Sequence, residues 1–153
     1  MAGLKRKKTR VFNQVKLTNS PSETFDLGLV LAEQLQPNTC ILLSGLLGAG
    51  KTQLIKGFCQ FFGLNPDLVQ SPTYSLHHTY QASCALHHLD LYRLKDTQDF
   101  IDRGFIDILE TKEPIFIEWP TQVDNSLFQS KNRLVIDIEI LTNNQRKFQI
   151  SYD

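Results

Sequence analysis

The run Thr39-Cys40-Ile41-Leu42-Leu43-Ser44, followed at once by Gly45-Leu46-Leu47-Gly48-Ala49-Gly50-Lys51-Thr52, decides the fold. Its first six residues form a short β-rich apolar run of the kind buried on both faces of a sheet. The next eight fit G-x-x-x-x-G-K-[ST], in which glycines let backbone N–H groups turn inward around phosphate oxygens, an approach that larger side chains would block. Beyond the loop, Leu54, Phe58, Phe61 and Phe62 recur at i, i+4, i+7 and i+8, which predicts one side of a helix ending near Gly63.

Working outward, residues 11–17 read as an initial strand. Ser20-Pro21-Ser22-Glu23 then combines an N-cap serine, a proline at the first helical position and a glutamate at the third, so a helix is expected from there. Phe25, Leu29 and Leu35, helped by Leu31 and Ala32, are expected to supply its core-facing stripe, and Pro37-Asn38 closes it. Residues 73–80 and 85–92 read as two further strands, the first after a turn forced at Ser71-Pro72. Residues 96–110 read as helical with a break around Gly104, and residues 114–119 as another buried strand. Leu134, Ile136, Ile138 and Ile140 alternate with mostly polar neighbours, as do Phe148, Ile150 and Tyr152, with Asn143-Asn144 between them. The pattern predicts an α/β fold: a P-loop NTPase three-layer sandwich, its mostly parallel central sheet extended by antiparallel strands and a C-terminal β-hairpin.

The 153 residues, 41% hydrophobic and 21% charged, have the balance of one globular domain with a single core. The net charge of +0 hides an asymmetry: Lys5, Arg6, Lys7, Lys8 and Arg10 leave 11 basic residues against 16 acidic downstream. Residues 1–10 are therefore read as a basic disordered tail and residues 11–153 as the domain. Cys40, Cys59 and Cys84 are odd in number, lie in apolar contexts and show no CxxC spacing, which argues against a disulfide framework or a zinc site and for a cytoplasmic protein with reduced thiols. No apolar stretch approaches the roughly 20 residues of a membrane span. His77-His78 and His87-His88 are adjacent pairs whose members point to opposite faces of a strand, so packing is expected of them rather than chelation.

The chemistry resides in a few positions. Lys51 is expected to bridge β- and γ-phosphates, the Thr52 hydroxyl to ligate Mg²⁺, and the following helix N-terminus to add partial positive charge. A carboxylate at a strand end should complete the metal shell, and Asp90 in His88-Leu89-Asp90-Leu91-Tyr92 and Glu118 in Ile115-Phe116-Ile117-Glu118-Trp119 are the candidates. Thr73, on the turn after Ser71-Pro72, places a hydroxyl where a switch loop could sense Mg²⁺ and the γ-phosphate.

Taken together, GLLGAGKT, SPTYSL, HHLDLYRL and IEWP, in this order and at these spacings, closely resemble the TsaE (YjeE) family of small P-loop ATPases. The resemblance spans about residues 20–120, and the terminal hairpin is compatible with it. It implies an ATPase required for threonylcarbamoyladenosine formation next to the anticodon of tRNA. It further implies TsaD and TsaB homologues as partners, tRNA contact through their complex, and ATP with Mg²⁺ as cofactors; a monomer in isolation is compatible with it. Carried over residue by residue, it assigns Gly45, Leu46, Leu47, Gly48, Ala49, Gly50, Lys51 and Thr52 to nucleotide binding and Thr52, Asp90 and Glu118 to the metal. Thr73 becomes the switch-like threonine, Glu118 and Trp119 the pair near the γ-phosphate, and Thr24 a residue near the base. Leu46 departs from the pattern, since the family loop usually carries Asp there, and so removes a carboxylate near the phosphates. Gln53 replaces a common Thr just past the loop. Two other readings share the phosphate loop: a small-molecule or nucleoside kinase, for which no arginine-rich lid is visible, and a nucleotide-gated interaction protein that hardly hydrolyses ATP.

Overall fold

The structure, a computed structural model, describes residues 12–153, and the basic stretch 1–10 lies outside them. Seven strands form one sheet: β1 (Phe12–Thr18), β2 (Thr39–Ser44), β3 (His77–Gln81), β4 (Ala85–Asp90), β5 (Ile115–Glu118), β6 (Asn132–Ile140) and β7 (Arg146–Tyr152). Their spatial order is β1-β7-β6-β2-β5-β4-β3. Parallel pairing joins β6, β2, β5 and β4, and antiparallel pairing adds β3 at one edge and β7 then β1 at the other. The expected mostly parallel centre with antiparallel extensions is therefore what the chain forms, with the first strand of the hairpin lying inside the parallel core.

The apolar run at β2 is central because both of its faces are covered. Ile41 and Leu43 enter the core beneath α1 (Pro21–Glu33) and α2 (Lys51–Phe61), with Phe116, Ile136 and Phe148. Cys40 and Leu42 point the other way, into a second core with Phe100, Phe105, Leu109 and Phe128. That second core lies under the short helices α3 (Thr97–Asp102) and α4 (Phe105–Leu109), which meet at Gly104 as expected. Burial seals the Cys40 and Cys59 thiols, pushing each up to about 12.

Helix α1 begins as its cap predicts, with the Glu23 N–H donating to Ser20 Oγ at 3.1 Å. Its buried face differs from the expected stripe: Thr24, Gly28, Leu31 and Ala32 are buried, whereas Phe25, Leu29 and Leu35 are half-buried. The reason is close approach of α1 to α2. A Cβ on Gly28 would run into the Leu54 carbonyl oxygen and stand 3.1 Å from the Gly57 Cα, and one on Gly57 would meet the Phe25 carbonyl oxygen. Two glycines facing each other let the helix backbones touch, and large side chains are displaced to the flanks. On α2, likewise, Leu54 and Phe58 are fully buried while Phe61 is 45% exposed.

The strand expected over residues 73–80 is shorter. Residues 73–76 form a turn, closed by the Leu76 N–H donating to the Pro72 carbonyl at 2.7 Å with Leu76 at φ +64°, and pairing starts only at His77. Likewise β4 ends at Asp90, where the Tyr92 N–H turns back to donate to Asp90 Oδ1 at 3.0 Å.

Gly28→Leu should destabilise the protein by about 3 kcal/mol, the upper part of the overpacking range. Gly63→Ala, in open space but at φ +82°, should cost about 1 kcal/mol from backbone strain alone. Urea unfolding followed by circular dichroism distinguishes the two, and equal effects would refute the close-packed helix pair.

Candidate functional site

Parallel strands end on the same side of a sheet, so Ser44, Asp90 and Glu118 close β2, β4 and β5 along one rim. Asp90 stands opposite Glu118 in the β4–β5 register, and with a side-chain period of two both point to the face that carries α2. They are 4% and 2% exposed. Ser71 Oγ lies between them, 3.1 Å from Asp90 Oδ2 and 3.2 Å from Glu118 Oε2, and Thr73 Oγ1 donates to Asp90 Oδ2 at 3.4 Å. Behind Glu118, the fully buried His88 places Nε2 3.8 Å from Oε1, beyond hydrogen-bond length.

Facing the carboxylates is the glycine loop. Gly48 at φ +80° and Gly50 at φ +103° turn the chain so that Gly50 sits directly before the first turn of α2. Neither conformation suits a residue with a Cβ. Gly45 answers to space instead, since a Cβ there would lie 3.1 Å from both the Ile138 carbonyl oxygen and the Ala49 Cβ. Lys51 folds back, donating to the Gly45 carbonyl at 2.5 Å with its ammonium 4.2 Å over the Trp119 ring. Trp119 itself is held at φ +58° and packs on Tyr92, ring centroids 4.9 Å apart. A bulky residue in the left-handed region beside two carboxylates is the kind of backbone strain that accompanies functional sites.

The charges condition one another. Burial raises the Asp90 carboxyl above its ordinary value, the Tyr92 N–H opposes that, and the Glu118 charge adds to it. Burial also acts upward on Glu118, but the adjoining His88 and Lys51 outweigh it and hold that carboxyl below its ordinary value. Lys51 is lowered by burial against the opposing pull of Glu118 and Asp90.

Two cavities meet on the loop. One, of about 530 Å³, brings together Lys51, Thr52, Thr73, Asp90, Glu118 and Trp119 of the expected residues. The other, of about 270 Å³, is walled by Thr24, Asn143, Asn144 and Arg146, and both share Gly48, Ala49 and Gly50. Gly45 and Leu46 line neither: Gly45 serves through its carbonyl, and the Leu46 side chain is 69% exposed. Thr24 Oγ1 is engaged by Thr18 Oγ1 at 2.8 Å, with the Thr24 methyl facing the Gly50 side of the loop.

Sequence reasoning missed several neighbours of the site. Arg146, from the start of β7, donates to the Gly48 carbonyl at 3.1 Å, a contact across the fold that no local motif announces. Arg93 lines the larger cavity, its guanidinium 4.4 Å over the Tyr74 ring. Ser71 was visible only as part of a turn. His77 and His87 stack on the opposite face, centroids 5.7 Å apart, and among the described residues no cluster of three or more His, Cys, Asp or Glu could hold a metal. Two carboxylates with hydroxyls nonetheless suit a hard cation that draws its remaining ligands from phosphate and water, as Mg²⁺ does.

Comparison with known proteins places these motifs. The family model described as threonylcarbamoyl adenosine biosynthesis protein TsaE matches residues 18–148. Proteins named tRNA threonylcarbamoyladenosine biosynthesis protein TsaE are among the similar sequences. That of Rickettsia conorii is 40% identical over 133 residues, covering 84% of this chain and 72% of the relative. That of Aquifex aeolicus is 31% identical, covering 88% and 92%, and that of Bacillus subtilis 31% identical, covering 78% and 74%. The crystal structure of Bacillus subtilis YdiB shares the fold, with a TM-score of 0.68 at 23% identity over 93% of this chain and 86% of that one. Among the described residues no helix is long and apolar enough to cross a membrane.

Because burial raises the folded-state pKa of Asp90, its carboxyl binds a proton more tightly in the folded than in the unfolded chain, and that stability is lost as pH rises through the folded value. Asp90→Asn should therefore raise the thermal midpoint of the nucleotide-free protein at pH 7. The gain should close as pH falls below the ordinary 3.8, where the wild-type carboxyl is already protonated. Differential scanning fluorimetry from pH 3 to 8 reads this directly, and an unchanged midpoint at pH 7 would contradict it.

Proposed function

The chain belongs to the TsaE family of tRNA threonylcarbamoyladenosine biosynthesis proteins, and on that premise we propose that it binds ATP with Mg²⁺ and hydrolyses it in support of that modification, alongside TsaD and TsaB homologues. The observation that carries this reading is the convergence of Lys51, Thr52, Ser71, Asp90 and Glu118 on one cavity above the glycine loop. We assign the triphosphate to that cavity and the nucleoside to the adjoining space between Thr24 and Arg146.

Thr52, Asp90 and Glu118, with Ser71 beside them, are the oxygen donors that would hold the metal. Mg²⁺, when bound, neutralises charge on the phosphate oxygens. Lys51 is poised to leave the Gly45 carbonyl for a better acceptor, because burial destabilises its charge where it lies and a phosphate oxygen would compensate it. The loop N–H groups and the first turn of α2 stabilise charge developing on the γ-phosphate. Glu118, whose carboxyl lies below its ordinary value with Lys51 across the cleft, is the group able to orient the attacking water and accept its proton. Trp119 packs against both Lys51 and Tyr92 and so fixes the lysine beside the carboxylates.

One observation also favours nucleotide-gated partner binding. Leu46, Leu47 and Tyr74 are 69%, 72% and 85% exposed, and Leu47 lines the larger cavity; exposed apolar side chains of this kind suit contact with another protein that reads whether nucleotide is present.

Glu118→Gln should retain ATP affinity while lowering turnover by about 100-fold. Lys51→Ala should weaken ATP binding by at least about tenfold. Equilibrium titration with a fluorescent ATP analogue and a phosphate-release assay separate the two effects. In a reconstitution with TsaB, TsaD, tRNA and ATP, omission of this chain should stop repeated rounds of modification. Undiminished modification without it, or phosphate transfer to an added small acceptor, would overturn the reading.

A further inference from the structure

His88 is wholly buried, and its Nε2 has no hydrogen-bond partner among the described residues. Leaving a buried ring nitrogen unpaired is unfavourable by about 1–3 kcal/mol, so a use for it is worth seeking. The nearest carboxylate oxygen is Glu118 Oε1 at 3.8 Å. On the other side of the ring, Nδ1 lies 3.3 Å from the Tyr80 hydroxyl. That hydroxyl is already engaged with one backbone position: it donates to the Gln70 carbonyl at 2.9 Å and accepts from the Gln70 N–H at 3.2 Å. Gln70 precedes Ser71, whose hydroxyl oxygen lies 3.2 Å from the second oxygen of the same Glu118 and 3.1 Å from Asp90 Oδ2, one proton shared between two acceptors. The contacts close a ring that runs Glu118, Ser71, Gln70, Tyr80, His88 and back to Glu118.

The tyrosine has one proton and three acceptors within reach, the Gln70 carbonyl at 2.9 Å, His88 Nδ1 at 3.3 Å and, on the solvent side, His78 Nδ1 at 3.4 Å. While Gln70 takes it, His88 Nδ1 can only donate to the tyrosine oxygen, which leaves Nε2 without a proton to offer Glu118. If the 70–73 loop shifts and the Gln70 carbonyl withdraws, the Tyr80 hydroxyl turns to Nδ1. The imidazole then carries its proton on Nε2, facing a carboxylate that accepts it. A movement of roughly 1 Å would bring 3.8 Å to hydrogen-bond length. Glu118 thus has two berths, Ser71 beside Oε2 and His88 beside Oε1, and the loop that carries Ser71 also carries the Gln70 carbonyl that competes for the tyrosine proton.

We infer that His88 is a positioning residue for Glu118, and that Tyr80 makes its grip depend on the 70–73 loop. The inference rests on the reading of Glu118 as the group that orients water, and it supplies what holds that carboxylate once Ser71 turns to other ligands. Nucleotide binding and readiness for hydrolysis are thereby joined through a path lying behind the cavity.

The test uses the full chain and side chains that mimic one ring nitrogen each. Glutamine places its amide nitrogen near Nε2, and asparagine places a polar atom near Nδ1. His88→Gln should keep the rate constant of ATP hydrolysis within about threefold of wild type, whereas His88→Asn and His88→Leu should lower it by about 10- to 100-fold. All three should keep the ATP dissociation constant within about twofold, since the ring touches no part of the cleft. Tyr80→Phe should lower the rate by about tenfold, and adding it to His88→Leu should lower the rate no further, as expected of residues acting in one unit. Asparagine equal to glutamine, or full activity in His88→Leu, would overturn the inference. So would a rate loss matched by an equal loss of ATP affinity. Trp119, the chain's only tryptophan, adjoins Glu118 and gives a readout without turnover. The Mg²⁺-dependent part of its fluorescence response to ATP should survive in His88→Gln and vanish in His88→Leu. If the wild type releases no phosphate, the hydrolytic reading fails, and this optical difference alone upholds or refutes the role of His88.

Discussion

Two carboxylates that would repel each other in isolation are set side by side by a parallel strand register. Asp90 and Glu118 face one another at the ends of β4 and β5, nearly out of reach of water. The pair is tolerable only because donors surround it: Ser71 and Thr73 hydroxyls, the Tyr92 N–H, Lys51 across the cleft and His88 behind. Burial and the neighbouring Glu118 charge nonetheless raise the Asp90 carboxyl, so these donors offset only part of the cost of the pair. A site left partly uncompensated gains more from a divalent cation than a relaxed one would.

How much of this could be read from the chain depends on whether the signal is local. The β2-loop-α2 unit was legible because glycines at fixed offsets and an unbroken apolar run are consequences of short-range sterics and burial. The cap at Ser20 and the break at Gly104 were legible for the same reason. The buried face of α1 was not, because two facing glycines carry no hydrophobic signal and only the partner helix reveals that Gly28 is central. Residues 73–76 have the composition of a strand, and a single hydrogen bond back to Pro72 makes them a turn.

The same division holds for the site. Lys51, Thr52, Asp90 and Glu118 could be named from residue type and spacing. His88 could not, since the sequence shows only a histidine two positions before an aspartate. Its approach to Glu118 exists only once β4 is laid against β5 with Asp90 opposite Glu118. Arg146 reaches Gly48 from the far end of the chain, beyond any pattern a window of sequence can hold.

The contact of Gly28 with Gly57 has a further consequence. Helices whose backbones touch cannot slide or tilt past one another without a steric clash at the crossing point. Thr24, four residues before that crossing on α1, and the glycine loop, which opens α2, are thus parts of a single stiff frame. Any change in the width of the cleft therefore falls to its opposite bank, the stretch from Gln70 to Leu76, where the Arg93 guanidinium lies 4.4 Å over the Tyr74 ring.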